Sequence, residues 1–254
     1  MNTHRFSCTA CGKCCYGWLP LTVDEALAGA DTFPLAMSVT PISVGRPEYA
    51  LVESLSKSLA VPARRKVFLL VSPISFIPPA MPCPKLRDNL CSIHDTKPLR
   101  CRNMPFYAFR DEAHQAGMLV PREGWLCDTG LDAPVVYENG RIVDREDFAQ
   151  EQEAIRLQSP ILQRYVDLLL RYDAQAITRI QRAAKSAPAG RVVLNFLSFV
   201  RYNRDLDMVG FAHRQLPVLA HWAERTADNA SAAEYYNFYR AALAEMERYW
   251  KAPT

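Results

Sequence analysis

Apolar and polar positions along the chain fall into two textures, and the change between them lies near Asp144. Before it, apolar runs are short and cut by proline and glycine. Thr22-Val23-Asp24-Glu25 has the spacing of a capping box, a hydroxyl followed three residues on by a carboxylate, and predicts a short helix through about Gly29. Residues 33–47, rich in Pro, Gly and Ser, read as loop with room for one short strand, and residues 51–60 as a turn or two of helix. Val67 to Val71 is a run of large apolar and β-branched residues and predicts a buried strand. Pro78 to Pro84 holds four prolines in seven positions and excludes regular structure. Val135-Val136-Tyr137, then Asn139-Gly140, then Ile142-Val143 predicts a hairpin, because Asn-Gly supplies the positive backbone angles of a two-residue turn.

After Asp144 the period becomes helical. Ser159-Pro160 reads as a helix start, with a capping hydroxyl and proline at the first helical position. Ile161, Leu162, Tyr165, Leu168, Leu169 and Tyr172 then recur at helical spacing, as do Ile177 and Ile180. Pro188 and Gly190 interrupt the pattern. Val192 to Val200 is predicted as helix in preference to strand, and Met208 to Trp222 as a helix bent near Pro217. Ser231 with Glu234 reads as a second capping box. It opens a last helix whose inner face is Tyr235, Phe238, Tyr239, Ala242, Met246 and Trp250. The expected class is α+β and α-rich: an irregular, cysteine-rich, metal-binding domain over residues 1–145 packed on a bundle of about four helices over residues 146–254.

A chain of 254 residues can bury a sizeable core without disulfide staples. Its formal net charge of +3 is too small to imply a nucleic-acid partner. The most apolar window, Val67 to Met81, is interrupted by Pro73, Pro78 and Pro79 and is shorter than the roughly 20 residues that cross a bilayer. The N-terminal Met-Asn-Thr-His-Arg-Phe-Ser-Cys has no apolar stretch of signal-peptide length. The expectation is therefore a soluble cytoplasmic protein with neither membrane nor nucleic acid as partner. In that compartment thiols stay reduced, so clustered cysteines read as metal ligands or redox groups before they read as disulfides.

All 8 cysteines lie between positions 8 and 127. Cys8, Cys11, Cys14 and Cys15 form Cys-x-x-Cys-x-x-Cys-Cys. Two-residue gaps let a loop curl so that successive sulfurs face one centre, a spacing that both zinc and iron–sulfur sites use. Gly12 suits the tight turn, since it tolerates positive φ. Neighbouring side chains diverge, so Cys14 and Cys15 do not both chelate one small ion. One of them faces a second metal, a second iron of the same cluster, or solvent as a thiol. Cys83, Cys91, Cys101 and Cys127 supply further thiols, and two four-cysteine sites can be made. The simplest partition gives Cys8, Cys11 and Cys14 one downstream partner and places Cys15 with the others; which downstream cysteine goes where stays open. The adjacent pair and the dispersed partners favour an iron–sulfur cluster over zinc, whose closed sites more often show two tidy Cys-x-x-Cys pairs.

Other residues near the cysteines carry weaker signals. His94 could join Cys91 on zinc but reads as a packing or hydrogen-bonding residue. His4 reads as part of a mobile terminus, and His213 and His221 as surface or core residues. Arg100 and Arg102 flank Cys101, and Lys13 sits in the first loop. Each either offsets thiolate charge or is ordinary surface charge. No catalytic residue is assigned, and whether the chain is an enzyme stays open.

Phe6-x-Cys8-x-x-Cys11-Gly12-x-Cys14-Cys15 resembles the first signature of the CxxCxxCC cysteine-cluster family of zinc- or iron-chelating domains. Cys83-Pro84-x-Leu86-x-x-x-x-Cys91-x-Ile93-His94-x-x-Lys97-Pro98-x-x-Cys101-Arg102-x-x-Pro105 resembles the second, with departures at His94, where tyrosine is usual, and at Lys97, where arginine is usual. The resemblance spans about residues 6–127 and implies metal chelation. Bacterial flagellin lysine methylases carry a similar cluster, so it also admits a protein-modifying redox or methyl-transfer role. The partner is then another protein, as redox partner or as modified substrate. No glycine-rich loop of a common S-adenosylmethionine fold and no Cys-x-x-x-Cys-x-x-Cys spacing of radical enzymes accompanies it, so that role rests on analogy. Three readings stand: an iron–sulfur redox or enzyme subunit, a structural zinc protein acting through protein contacts, and a lysine N-methylase-like enzyme.

Overall fold

The computed structural model describes residues 3–61, 65–186 and 190–250, with the side chain of Trp250 outside the description. The first half runs β1 (Thr3–Arg5), β2 (Leu19–Pro20), α1 (Val23–Ala28), β3 (Leu35–Ser43), α2 (Ala50–Ser54), β4 (Ser58–Val61) and β5 (Arg65–Ser75). It continues through β6 (Leu86–Arg87), β7 (Leu90–Cys91), α3 (Leu99–Arg102), β8 (Val135–Glu138) and β9 (Arg141–Ile142). The second half is α4 (Glu146–Tyr172), α5 (Ala174–Ala183), β10 (Val192–Asn195), α6 (Phe196–Tyr202), α7 (Met208–Thr226) and α8 (Ala233–Trp250). About 47% helix and 20% strand make the class α+β and α-rich.

The main sheet is antiparallel, with order β10-β3-β5-β2 and β4 also on β5. β3 occupies residues expected to be mostly loop. Leu35, Ala36, Met37 and Val39 are buried in succession, so both strand faces are covered and no alternation marks them in the sequence. Pro41 lies past the end of β10, and Pro73 lies between the stretches of β5 that pair with β4 and with β2. Each proline thus sits where one flank of its strand is open, which is where proline is tolerated.

α4 does not begin at Ser159-Pro160. It begins at Glu146 and runs through Pro160, and Ser159 is a buried interior residue. A proline inside a helix costs ~3 kcal/mol. Phe148, Ile155, Leu162, Tyr165, Val166 and Leu169 are buried along the same helix, and each contributes ~1.5–3 kcal/mol on burial. The packed face outweighs the break. That face serves two cores. Phe148 and Ile155 join Ile42, Phe68, Phe106, Phe109, Leu119 and Tyr137. Leu162 to Leu169 join the larger core made by β3, β5 and the later helices.

Three further expectations change. Val192 to Val200 is strand and then helix, because the Asn195 side chain accepts from Leu197 N at 3.0 Å and starts α6 there. Ser231 lies in a 3-10 turn whose cap is Asn229, so the second capping box does not form. Among the described residues the second half has five α-helices and a strand, more than the four helices expected. Pro188 falls outside the described residues. The first capping box is present: Thr22 Oγ1 accepts from Glu25 N at 3.1 Å and Glu25 Oε2 from Thr22 N at 2.8 Å. The Asn139-Gly140 hairpin forms as β8–β9. Tyr235, Tyr239, Ala242 and Met246 of the predicted α8 stripe are buried. Among the described residues no helix is long and apolar enough to cross a membrane.

One buried side chain ties α7 to the turn before β3. Gln215, fully buried, accepts from Leu35 N at 3.0 Å and donates to the carbonyls of Ala30 and Phe33. Gln215→Leu keeps the volume but leaves these backbone groups without partners, each worth ~1–3 kcal/mol. A loss of about 3 kcal/mol in urea unfolding is expected, and an unchanged midpoint would show that the turn finds other partners.

Candidate metal centre

The cysteine loops are aimed by the sheet. β2 pairs with the end of β5, Leu19 opposite Ser75 and Pro20 opposite Ile74. The chain before β2 and the chain after β5 therefore leave the sheet at the same edge. They stay together beyond it: Tyr16 bridges Pro82, and Cys83 N donates to Cys15 O at 2.7 Å. A turn at Asp88 and Asn89, both with positive φ, then folds β7 back on β6 and sets Cys91 opposite Leu86. Cys101 arrives on α3. On the other side Ser7 pairs with Asp128, which sets Cys8 beside Cys127. Gly12, at φ 72°, fits the first loop against the hairpin tip, where an added Cβ would lie 3.1 Å from Asn89 Cα.

All eight cysteines are free thiols. They fall into two electrostatic neighbourhoods. Cys15 feels Cys83, Cys101 and Cys91, and Cys101 feels Cys83 and Cys91. Cys127 feels Cys11, Cys8 and Cys14. Cys14 belongs to both. It hydrogen-bonds Cys15, and its charge acts on Cys101, Cys11 and Cys127. Donating that hydrogen bond raises the Cys14 thiol, and accepting it lowers Cys15. Burial raises Cys83 and Cys127, and pushes Cys101 up to about 12. Backbone hydrogen bonds from the segment around Leu126 and from Lys13 hold Cys11 below the ordinary thiol range.

Amide donors recur at a fixed offset. Ala10 N donates to Cys8 Sγ at 3.4 Å and Lys85 N to Cys83 Sγ at 3.5 Å, while the Lys13 amide serves Cys11. In each case the donor is two residues after the cysteine. Such bonds favour the charged sulfur, the form that binds metal. The donor set, free thiols with amides turned toward them, fits a thiophilic metal such as zinc or iron. Among the described residues no group of three or more His, Cys, Asp or Glu side chains is already closed into coordinating geometry.

The flanking cations do not all serve the thiols. Arg102 pairs with Asp147 of α4. Arg100 is partly buried, donates to the carbonyl of Phe106, lies over the Tyr107 ring at 5.0 Å and sits 3.8 Å from Glu151, though its charge still acts on Cys101. Lys13 lies over the Tyr16 ring at 5.9 Å. Lys97 and Lys85 bear on Cys14 and Cys83, pairings that their places in the sequence do not reveal. His94 is exposed, beside Asp95 and Lys97. His4 is not part of a loose terminus: it lies in β1, paired with β8, with its ring 5.8 Å from that of Tyr137. His213 and His221 are both exposed on α7.

An irregular lobe of free thiols is fastened to the edge of an α+β sheet. Residues 7–120 match the model of the CxxCxxCC family, described as a putative zinc- or iron-chelating domain, which supports metal binding by this lobe. No curated protein and no solved structure matches the chain.

Gly12→Ala tests the packing of the first loop on the hairpin. The left-handed backbone alone costs a residue with a Cβ ~1–2 kcal/mol, and the near contact with Asn89 adds to it. A lower thermal midpoint of the metal-free protein is expected. An unchanged midpoint would mean that the loop does not pack on the hairpin in solution.

Proposed function

We propose that the chain is an iron–sulfur protein whose cysteines hold the cluster, with Cys15, Cys83, Cys91 and Cys101 as the primary ligand set and Cys8, Cys11, Cys14 and Cys127 as the second. The observation that carries this reading is the convergence of Cys15, Cys83, Cys91 and Cys101 from separate segments into one partly buried neighbourhood. The continuity of the two sets through Cys14 favours a multi-iron centre over two isolated tetrahedral ions. When bound, such a cluster supplies one-electron transfer. The protein's own part is to hold the thiols, donate amide hydrogen bonds to them and offset their charge with Lys85 and Lys97. Thiols must release protons to bind metal, and their loading is coupled to the folding of the loops that carry them. The partner is another protein, met as electron donor or acceptor or as the substrate of a modification, in a reducing compartment such as the cytoplasm. Closed zinc sites on the same two sets are the second reading, supported by the amide-to-sulfur bonds at Cys8, Cys11 and Cys83.

Metal and acid-labile sulfide analysis of protein purified without oxygen, with a visible spectrum, decides between them. Iron with sulfide and broad visible absorption is the expected result. Colourless protein with stoichiometric zinc and no recoverable iron would sink the iron–sulfur reading, since zinc has no d–d bands. Cys101→Ser should lose most of the metal and Cys127→Ser a smaller share, with the double variant losing no more than Cys101→Ser alone. Additive losses would split the two sets into isolated sites.

Acid should weaken loading. Cys83 and Cys101 are raised, Cys101 to about 12, so both are protonated thiols at neutral pH and must release protons to bind. Apparent affinity should fall about tenfold per pH unit of acidification for each proton released. Chelator competition between about pH 6 and 8 measures it, and a flat profile would remove these thiols from the ligand set.

A further inference from the structure

The short helix α3 is held from both sides by polar contacts that no local requirement of a four-residue helix demands. At its start Leu99 N donates to Glu25 Oε1 at 2.7 Å, while the other oxygen of Glu25 caps α1. At its end Asn103 Nδ2 donates to Glu151 Oε2 at 2.6 Å. Between them Arg100 reaches Glu151 at 3.8 Å, and Arg102 pairs with Asp147. Residues 99, 100, 102 and 103 are thus each tied to α1 or α4, and Cys101 is the residue in the middle. Asn103 and Glu151 are 3% and 4% exposed, so this joint lies in the interior. A carboxylate is expensive to bury, and this one lies on α4 between Phe148 and Ile155, two apolar residues of the smaller core. By contrast Cys8 and Cys14 sit exposed on an irregular loop.

We infer that Glu151, through Asn103 and Arg100, is a positioning residue for the metal centre, fixing Cys101 as the preorganised ligand beside which the more exposed thiols bind. This rests on the metal-binding reading above. Glu151 touches no thiol; it acts by fixing where α3 sits on α4. Glu25 does the same from α1, and the two acids hold the helix at its two ends.

Cobalt(II) is the probe, because its thiolate-to-metal charge-transfer absorption reports how many sulfurs are bound. Affinity is measured by chelator competition on the full chain, and urea unfolding of the metal-free protein is followed in parallel. Glu151→Ala should bind cobalt ~10–100-fold more weakly, as loss of an outer-sphere partner does, with lower charge-transfer intensity per cobalt. Glu151→Gln retains an acceptor for Asn103 and should recover most of both. Asn103→Ala, the milder change, should shift both in the same direction if Glu151→Ala does not fold. Gln215→Leu weakens the fold elsewhere and should leave the charge-transfer intensity per bound cobalt as in the wild type. Wild-type affinity and intensity in Glu151→Ala and Asn103→Ala would overturn the inference, as would an equal loss of intensity in Gln215→Leu. A wild-type protein with no charge-transfer band overturns the metal reading itself, and the positioning role with it.

Discussion

The pairing of β2 with the last residues of β5 is the constraint on which the cysteine lobe depends. It is antiparallel, so the segment that precedes one strand and the segment that follows the other must emerge side by side. The bond from Cys83 N to Cys15 O continues that register off the sheet. Slipping the pairing by one residue would turn every side chain on β2 to the opposite face and carry the first loop out of reach of Cys83. A sheet buried on both faces thus sets the position of thiols that lie outside it.

α4 carries the same logic to the rest of the molecule. Its first turns close the smaller core beneath Phe106, Phe109 and Tyr137, and its later turns close the larger one. The acids on its early turns, Asp147 and Glu151, reach α3. Two buried polar side chains have partners from distant segments: Gln215 satisfies three backbone groups and Glu151 is met by Asn103 and Arg100. Burial raises the Glu151 carboxyl above the ordinary range, while Arg100 and Asn103 work against that rise.

Features set by neighbours in the sequence were legible there. The Thr22 capping box, the Asn139-Gly140 hairpin, the buried run at Val67 and the apolar stripe of α8 follow from residues within a turn or two of each other. The cysteine motif was likewise legible as metal chemistry, because thiol density is a local property and residues 7–120 carry the chelating family's pattern. What lay hidden depended on distant partners. β3 is a strand because β10 and β5 flank it, although its composition reads as loop. The Ser159-Pro160 start failed because the packed face of α4 outweighs a local signal. Arg102 beside Cys101 could be read as a counterion for sulfur or as surface charge, and its partner Asp147 lies too far along the chain for the sequence to choose. Glu151 had no signal at all, since nothing near it in sequence explains a buried carboxylate.

β10 has a consequence for how such a chain can change over evolutionary time. It comes from the helical half, yet it is the edge partner of β3, in the heart of the segment that carries the family's pattern. Cutting that segment free would strip a strand from the sheet and bare Leu35, Met37 and Val39 to water. The thiol lobe thus leans on a strand lent by the helical half, and the changes that spare this debt are those in the loops around the sulfurs, where exposed positions such as Leu90 and Leu126 lie outside the shared cores.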